Sequence, residues 1–299
     1  MKIFAPDYFR DFKCSAGDCR HSCCIGWEID IDSKTAELYK NVSGEFGKKL
    51  SENIDFHEDG GTFRLCENER CPFLNEKGLC EIYINLGYEA LSQICDDHPR
   101  FRNYLESRTE IGLGLCCEEA AKLVLEKKTK TNIIEIAEDE EPFCNSEEEA
   151  EFLEIRQNLF DIFQNREKSI EERISDALEF FEAEDFKVDF EKWSKLCLSL
   201  ERLDEKWTEI LEKIFENPFA PKEFDENAAE QLLCYFIFRH FSAKEPLLSL
   251  CYSVLSFYMT EKAAEQVGIF EAARLWSSEI EYSDENKEII LDTIYEEMQ

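Results

Sequence analysis

The sequence predicts a mostly α-helical chain. A cysteine-rich N-terminal domain with little β is expected over residues 1–130, and an acidic all-α helical domain over 145–299. Three observations carry this. Glycine (11) and proline (7) are scarce among the 299 residues, which favours long helices over a turn-rich β architecture. Ten of the 14 cysteines fall between Cys14 and Cys117. Beyond Ser146 the apolar residues recur at helical spacing almost without a break.

In chain order, the alternation W-E-I-D-I-D (27–32) predicts a short strand, and Ser33 then reads as the N-cap of a helix over 34–41. Residues 89–94 and 118–128 read as helical, and 128–142 as a linker with a short extended piece. Helices are expected near 147–166, 169–184, 190–215, 226–241, 245–259, 261–280 and 284–298, with Pro218, Pro221 and Pro246 marking breaks. Leu196, Leu200, Leu203, Trp207, Leu211 and Ile214 repeat at helical spacing and read as core.

The formal charge is −33. Residues 1–117 hold 14 Lys+Arg against 21 Asp+Glu, a net of −7, so the remainder carries −26. Such a body repels phosphate backbones, which argues against nucleic acid and anionic membranes as partners and favours a lysine-bearing protein surface. No stretch at the start is apolar enough for a signal peptide, and no later run approaches a membrane span, so a cytoplasmic protein is expected. In a reducing compartment a dense cysteine set points to metal or redox chemistry, with a disulfide framework as the alternative.

The spacing of the thiols is that of a metal site. C-S-A-G-D-C-R-H-S-C-C supplies Cys14, Cys19, Cys23 and Cys24 within one short loop; Cys66, Cys71, Cys80 and Cys95 come next, and Cys116-Cys117 closes the set. Clustered thiolates suit zinc and iron–sulfur clusters. A zinc ribbon would show two C-x-x-C knuckles, and none occurs. Cys19 and Cys23 give the first spacing of the radical-enzyme triplet C-x-x-x-C-x-x-C, but position 26 is Gly26. Cys80 and Cys95 would lie about 22 Å apart on one helix, so they share a centre only if the chain bends, and Gly87 is the expected hinge. Cys116 and Cys117 open a helical pattern, where a helix N-terminus lowers a thiol pKa.

C-P-F-L-N-E-K-G-L-C-E-I-Y (71–83) and L-S-Q-I-C-D-D-H-P-R (91–100), preceded by C-x4-C-x3-C-C-x2-W and followed by G-L-C-C-E-E-A-A-K-L-V-L (114–125), resemble the flagellin lysine-N-methylase family. That family is related to cysteine-cluster proteins described as zinc- or iron-chelating. The resemblance covers about residues 1–130. It implies methyl transfer from S-adenosylmethionine to flagellin lysines, or those of another lysine-bearing protein, by an enzyme holding an iron–sulfur cluster. A 4Fe-4S cluster is favoured, with zinc as the alternative. Carried over by position, the ligand candidates are Cys14, Cys19, Cys23, Cys24, Cys71, Cys80, Cys95, Cys116 and Cys117, with Cys66 set aside. Eight or nine thiols exceed one four-ligand centre, so either two centres exist or some of these thiols are structural or redox residues. Cys144, Cys197, Cys234 and Cys251 read as packed thiols.

For the cofactor, Trp27 is a candidate to stack on an adenine, with packing over Cys23-Cys24 as the plainer role. His98 and Arg100 are candidates to touch a cofactor carboxylate or cluster sulfur, against a simple turn imposed by Pro99. The run E-I-G-L-G-L (110–115) is a weak match to a glycine-rich cofactor loop, and a close-packed turn before a helix is the alternative. With 67 carboxylates and 10 tyrosines, the sequence nominates no catalytic base. The rival function is a zinc- or iron-binding or electron-transfer protein without methyl transfer.

Overall fold

The computed structural model describes residues 2–138, 146–183, 186–221 and 225–299. The chain divides into two compact units, Lys13–Phe101 on one hand and Met1–Phe12 with Arg102–Gln299 on the other. The expected boundary near 130–145 is therefore not where contacts thin out. The cause is β1 (Lys2–Pro6), which pairs with strands distant in sequence and so draws the first residues into the larger unit.

The smaller unit holds β2 (Asp30–Asp32), α1 (Ser33–Lys40), α2 (Gly44–Glu52), β3 (Ile54–His57), β4 (Gly60–Phe63), α3 (Glu81–Leu86) and α4 (Gln93–Asp97). Its three strands form an antiparallel sheet in the order β2-β4-β3. The alternation in 27–32 does its expected work: Ile29 and Ile31 are buried, while Asp30 is exposed. The cap of α1 is Asp32 rather than Ser33, because the Asp32 carboxylate accepts from the Thr35 amide at 2.9 Å. The helix expected over 89–94 is replaced by a 3-10 turn at Tyr88–Ala90 and by α4.

In the larger unit β5 (Arg100–Tyr104), within which the unit boundary falls, β6 (Arg108–Leu113) and, after α5 (Glu118–Leu125), β7 (Ile133–Glu138) build a sheet in the order β5-β6-β1-β7. Strand β1 runs parallel to β6 and antiparallel to β7. The expectation of little β is thus exceeded: residues 2–138 hold seven strands, and the extended piece of the expected linker is an edge strand. The rest of that linker, 139–142, lies outside the described residues.

The all-α expectation holds from Glu147 onward. The helices are α6 (Glu147–Phe163), α7 (Ile170–Phe180), α8 (Phe190–Ser199), α9 (Glu205–Glu216), α10 (Glu226–His240), α11 (Pro246–Val267), α12 (Ile269–Trp276), a π turn at Ser277–Glu281 and α13 (Asp284–Glu297). Short polar side chains start most of them. Ser146, Asp189, Asp204, Asp225 and Ser283 accept backbone N–H groups of the first turn, and Ser169 with Glu172 forms a capping box. Pro246 sits at the first position of α11, where no amide partner is lost, and Gly268 ends that helix at φ 80°. Helices α10 and α11 are buried nearly all round and form the centre of the unit, with α11 packing against α9, α10, α12 and α13. Three expected helices divide differently: 190–215 breaks at Leu200–Asp204, and 245–259 and 261–280 regroup into α11 and α12 around Gly268.

Candidate metal centre

Three stretches of chain deliver four thiols to the core of Lys13–Phe101. Cys24 and Cys71 are joined by their backbones, the Cys71 amide donating to the Cys24 carbonyl at 2.8 Å. After Cys71 the run P-F-L turns sharply (Leu74 N–H to Cys71 C=O, 3.1 Å) and inserts Phe73, fully buried, against Phe63 at 5.1 Å. A Leu74–Cys80 bridge brings the chain back, and Cys80 becomes the N-cap residue of α3. Gly87, at φ 88°, then ends α3 and turns the chain toward α4, which carries Cys95. A non-glycine residue adopts this backbone only with strain, so the expected hinge is real.

Two ties fix the second arm. Asp32 accepts the Gln93 amide of α4 at 3.0 Å while it caps α1, and the Tyr39 hydroxyl donates to the Ala90 carbonyl at 2.6 Å. Cys24, Cys71, Cys80 and Cys95 all belong to the core built on Ile29, Ile31, Tyr39, Phe63 and Phe73. The sequence reading missed both ties. Their signals were available only in part: Asp32 stands before an amphipathic helix, but nothing local points Tyr39 at Ala90.

The electrostatics bind the four together. Burial pushes Cys71 up to about 12, and the charges of Cys24, Cys95 and Cys80 add to that. Burial likewise raises Cys95 to about 11 and raises Cys80, with neighbouring thiolates again contributing. Cys24 goes the other way, to about 7, because the Cys23 thiol and Ser22 hydrogen-bond to it and Arg70 is near, against the opposing effect of burial. Tyr39 is raised by burial and by the charges of Cys95, Cys80 and Cys71, which puts its phenol among the same groups. Ionised together, four such thiols would repel one another, and a multivalent cation or an iron–sulfur core would offset that repulsion. The donor set therefore fits a thiolate-ligated centre. It is gathered rather than closed: among the described residues, no three Cys, His, Asp or Glu side chains stand as a metal-holding group.

The other candidates fall outside this core. Cys14 is exposed and accepts from the Ala16 amide at 3.3 Å; Cys19 and Cys23 are half-buried. Their loop is seated on the turn between Cys71 and Cys80, where a Cβ on Gly17 would stand 2.6 Å from the Lys77 carbonyl oxygen. Cys66 is exposed at the head of a tight turn whose Asn68 and Glu69 are left-handed. Cys116 and Cys117 belong to the larger unit. The helix-terminus expectation fails for Cys116: burial raises it to about 12, outweighing the Tyr282 hydrogen bond and the Arg239 charge. Cys117 is the backbone N-cap of α5. Cys197, Cys234 and Cys251 are buried in helices, and Cys144 lies outside the described residues.

Of the cofactor candidates, Trp27 donates its ring N–H to the Cys23 carbonyl at 2.6 Å and packs on the cysteine core. Its ring lies 6.2 Å from that of His98. Burial, with Arg100 second, drives His98 down to about 4, so the imidazole is neutral at pH 7. Arg100 donates to the Asp96 carbonyl at 2.5 Å and so closes α4, the turn role that Pro99 foretold. The glycine run 110–115 is filled by protein. A Cβ on Gly114 would meet the Tyr282 hydroxyl at 2.2 Å, and Glu110 is forked by Arg156 at 2.6 Å. No helix among the described residues is long and apolar enough to cross a membrane.

No family model matches the chain, and no solved structure matches it. Among curated proteins, it is 28% identical over 134 residues to the lysine-N-methylases of Salmonella choleraesuis and Salmonella typhimurium, covering 42% of this chain and 33% of each of theirs. It is 28% identical over 131 residues to the flagellar biosynthetic protein FliU of Salmonella muenchen, covering 42% of this chain and 78% of that protein. The chain thus matches about a third of the length of those lysine-N-methylases. These likenesses support the relationship to the flagellin lysine-N-methylase family that the cysteine runs carry.

Proposed function

We propose that the protein is an S-adenosylmethionine-dependent lysine N-methylase acting on flagellin or a similar lysine-bearing protein, with an iron–sulfur cluster on Cys24, Cys71, Cys80 and Cys95. The observation that carries the reading is this largely buried set of four thiols, whose charges act on one another, in a chain similar to lysine-N-methylases. The reading places the protein in the cytoplasm, where thiolate ligands stay reduced. A bound cluster would supply redox or Lewis-acid chemistry.

The chain's own residues do the rest. Burial of Cys71 and partial burial of Cys95 limit water at the centre, Trp27 packs at Cys23 with neutral His98 beside its ring, and Asp32 holds the Cys95 arm in place. In the transfer itself, a lysine ammonium gives its proton to a base or to water. The freed nitrogen pair then takes the methyl group, and the carbon–sulfur bond breaks toward the sulfonium sulfur. The protein's charge of −33 favours association with lysine-bearing surfaces.

Anaerobically purified, fully loaded protein incubated with methyl-labelled S-adenosylmethionine and flagellin is expected to label lysine. Absence of label under those conditions defeats the reading. A second reading, a metal-binding or electron-transfer protein without methyl transfer, is favoured by one observation: Tyr282 fills the glycine run that resembled a cofactor loop. Saturable binding of S-adenosylmethionine in calorimetry counts against it.

A further inference from the structure

Helix α4 has a second use besides carrying Cys95. With β2, β3 and β4 it walls a cleft of about 550 Å³, to which Asp30, Asp32, Asp59 and Asp97 contribute carboxylates and Ile31 and Ile94 apolar surface. His57 also lines it, and no lysine or arginine is among its described lining residues. On the adjoining side of the same helix, Asp96 accepts the Tyr88 hydroxyl. Tyr88 stacks edge-on with Tyr83 at 6.5 Å, and with Ile84 the two rings form an aromatic face more than half exposed at each residue. Isolated exposed apolar residues are ordinary. Here three lie close in sequence, and two of them are held together by their own ring contact. The two are linked through α4, which lends Gln93, Ile94 and Asp97 to the cleft while its Asp96 holds Tyr88.

We propose that this surface docks a lysine-bearing polypeptide segment, with lysine ammonium groups in the cleft and the segment's apolar side chains on Tyr83, Ile84 and Tyr88. The inference rests on the lysine-methylase reading and gives it a substrate-docking surface. Charge complementarity selects the occupant: a cleft with four carboxylates repels an acidic or phosphorylated segment and attracts a cationic one, and its apolar lining suits the lysine stem. A second copy of this chain, itself at −33, fits poorly.

The full-length protein and a fluorescein-labelled peptide in which lysines alternate with leucine and alanine provide the test, by anisotropy without S-adenosylmethionine. Binding that weakens with salt is expected, and Asp59→Asn with Tyr83→Ser should reduce affinity about tenfold. Leu203→Ser, an exposed substitution in the other unit, should leave it unchanged. Unaltered thermal melting of each variant certifies its fold. The proposal is overturned if the glutamine-for-lysine peptide binds equally well, if the double variant binds normally, or if the double variant abolishes self-association instead. The two readings separate cleanly. Peptide binding without methyl transfer removes the methylase and keeps the surface, whereas methylation by the double variant at unchanged KM removes the surface and keeps the methylase.

Discussion

The two units treat buried charge in opposite ways. In the larger one, two deeply buried acids meet cations from the chain itself. Glu110, fully buried, is gripped by Arg156 and Arg108; Glu230 lies between Arg166 and Arg173. In Lys13–Phe101 the buried titratable groups are mainly thiols, which raise one another's pKa. One interior pairs much of its buried charge internally, while on the proposed reading the other takes its cation from outside. A core that resolves its electrostatics by binding has its stability linked to that ligand, and a core of internal pairs does not.

The sharpest way to break this contrast is to act on the thiols. Chelation, or Cys71→Ser in anaerobically loaded protein, is expected to remove on the order of 10 kcal/mol from Lys13–Phe101 and leave α6–α13 intact. Hydrogen exchange resolved by segment checks it; equal loss of protection in both units would erase the distinction. Cys116→Ala with Cys117→Ala should leave metal content unchanged, since those residues belong to the other unit.

The converse experiment acts on the internal pairs. Glu110→Gln leaves buried Arg156 and half-buried Arg108 without their carboxylate and should cost the larger unit about 3–5 kcal/mol in urea unfolding. Metal content should be unaffected.

A third expectation concerns pH. Burial, with Asp225 second, raises Glu261 from an ordinary 4.5 to about 7, so the folded protein keeps a proton that the unfolded chain has already released. Stability from this group is complete below pH 4.5 and is lost as pH rises through 7, by up to about 3 kcal/mol. Melting of Glu261→Gln should be flatter across that window, and an unchanged slope would assign the pH dependence elsewhere. Smallest is the Asp32 tie: Asp32→Ala removes a helix cap and the anchor of α4, at about 1–2 kcal/mol. It should loosen Cys95 first, seen as faster thiol labelling at that residue.

The legibility of each element in the sequence tracks the range of the interactions that make it. Helices beyond Ser146 were legible because their caps and apolar stripes are local. The break at Leu200–Asp204 escaped because Leu200, Leu203 and Trp207 continue the stripe across it. Only the structure shows Asp204 starting a new helix and Arg202 donating back to the Leu200 carbonyl at 2.8 Å. Strand β1 was invisible: five residues acquire a strand only through partners more than a hundred positions away. At the site, the thiols and the Gly87 hinge were readable from spacing. Their partition was not, because Cys24 meets Cys71 through a backbone contact between distant segments, and because Cys116 is governed by burial against Tyr282 rather than by its place before a helix.

That first strand has one more consequence, in the order of synthesis. β1 leaves the ribosome before Lys13–Phe101, yet β6 and β7, its partners in the sheet, emerge after the whole of that unit. The inserted unit is complete in sequence while its host still lacks strands and helices, and domains generally fold as units during translation. If the proposed thiolate centre is loaded, a nascent chain of this topology would accept its metal before the host unit is finished, and scarcity of metal would be felt early in its assembly.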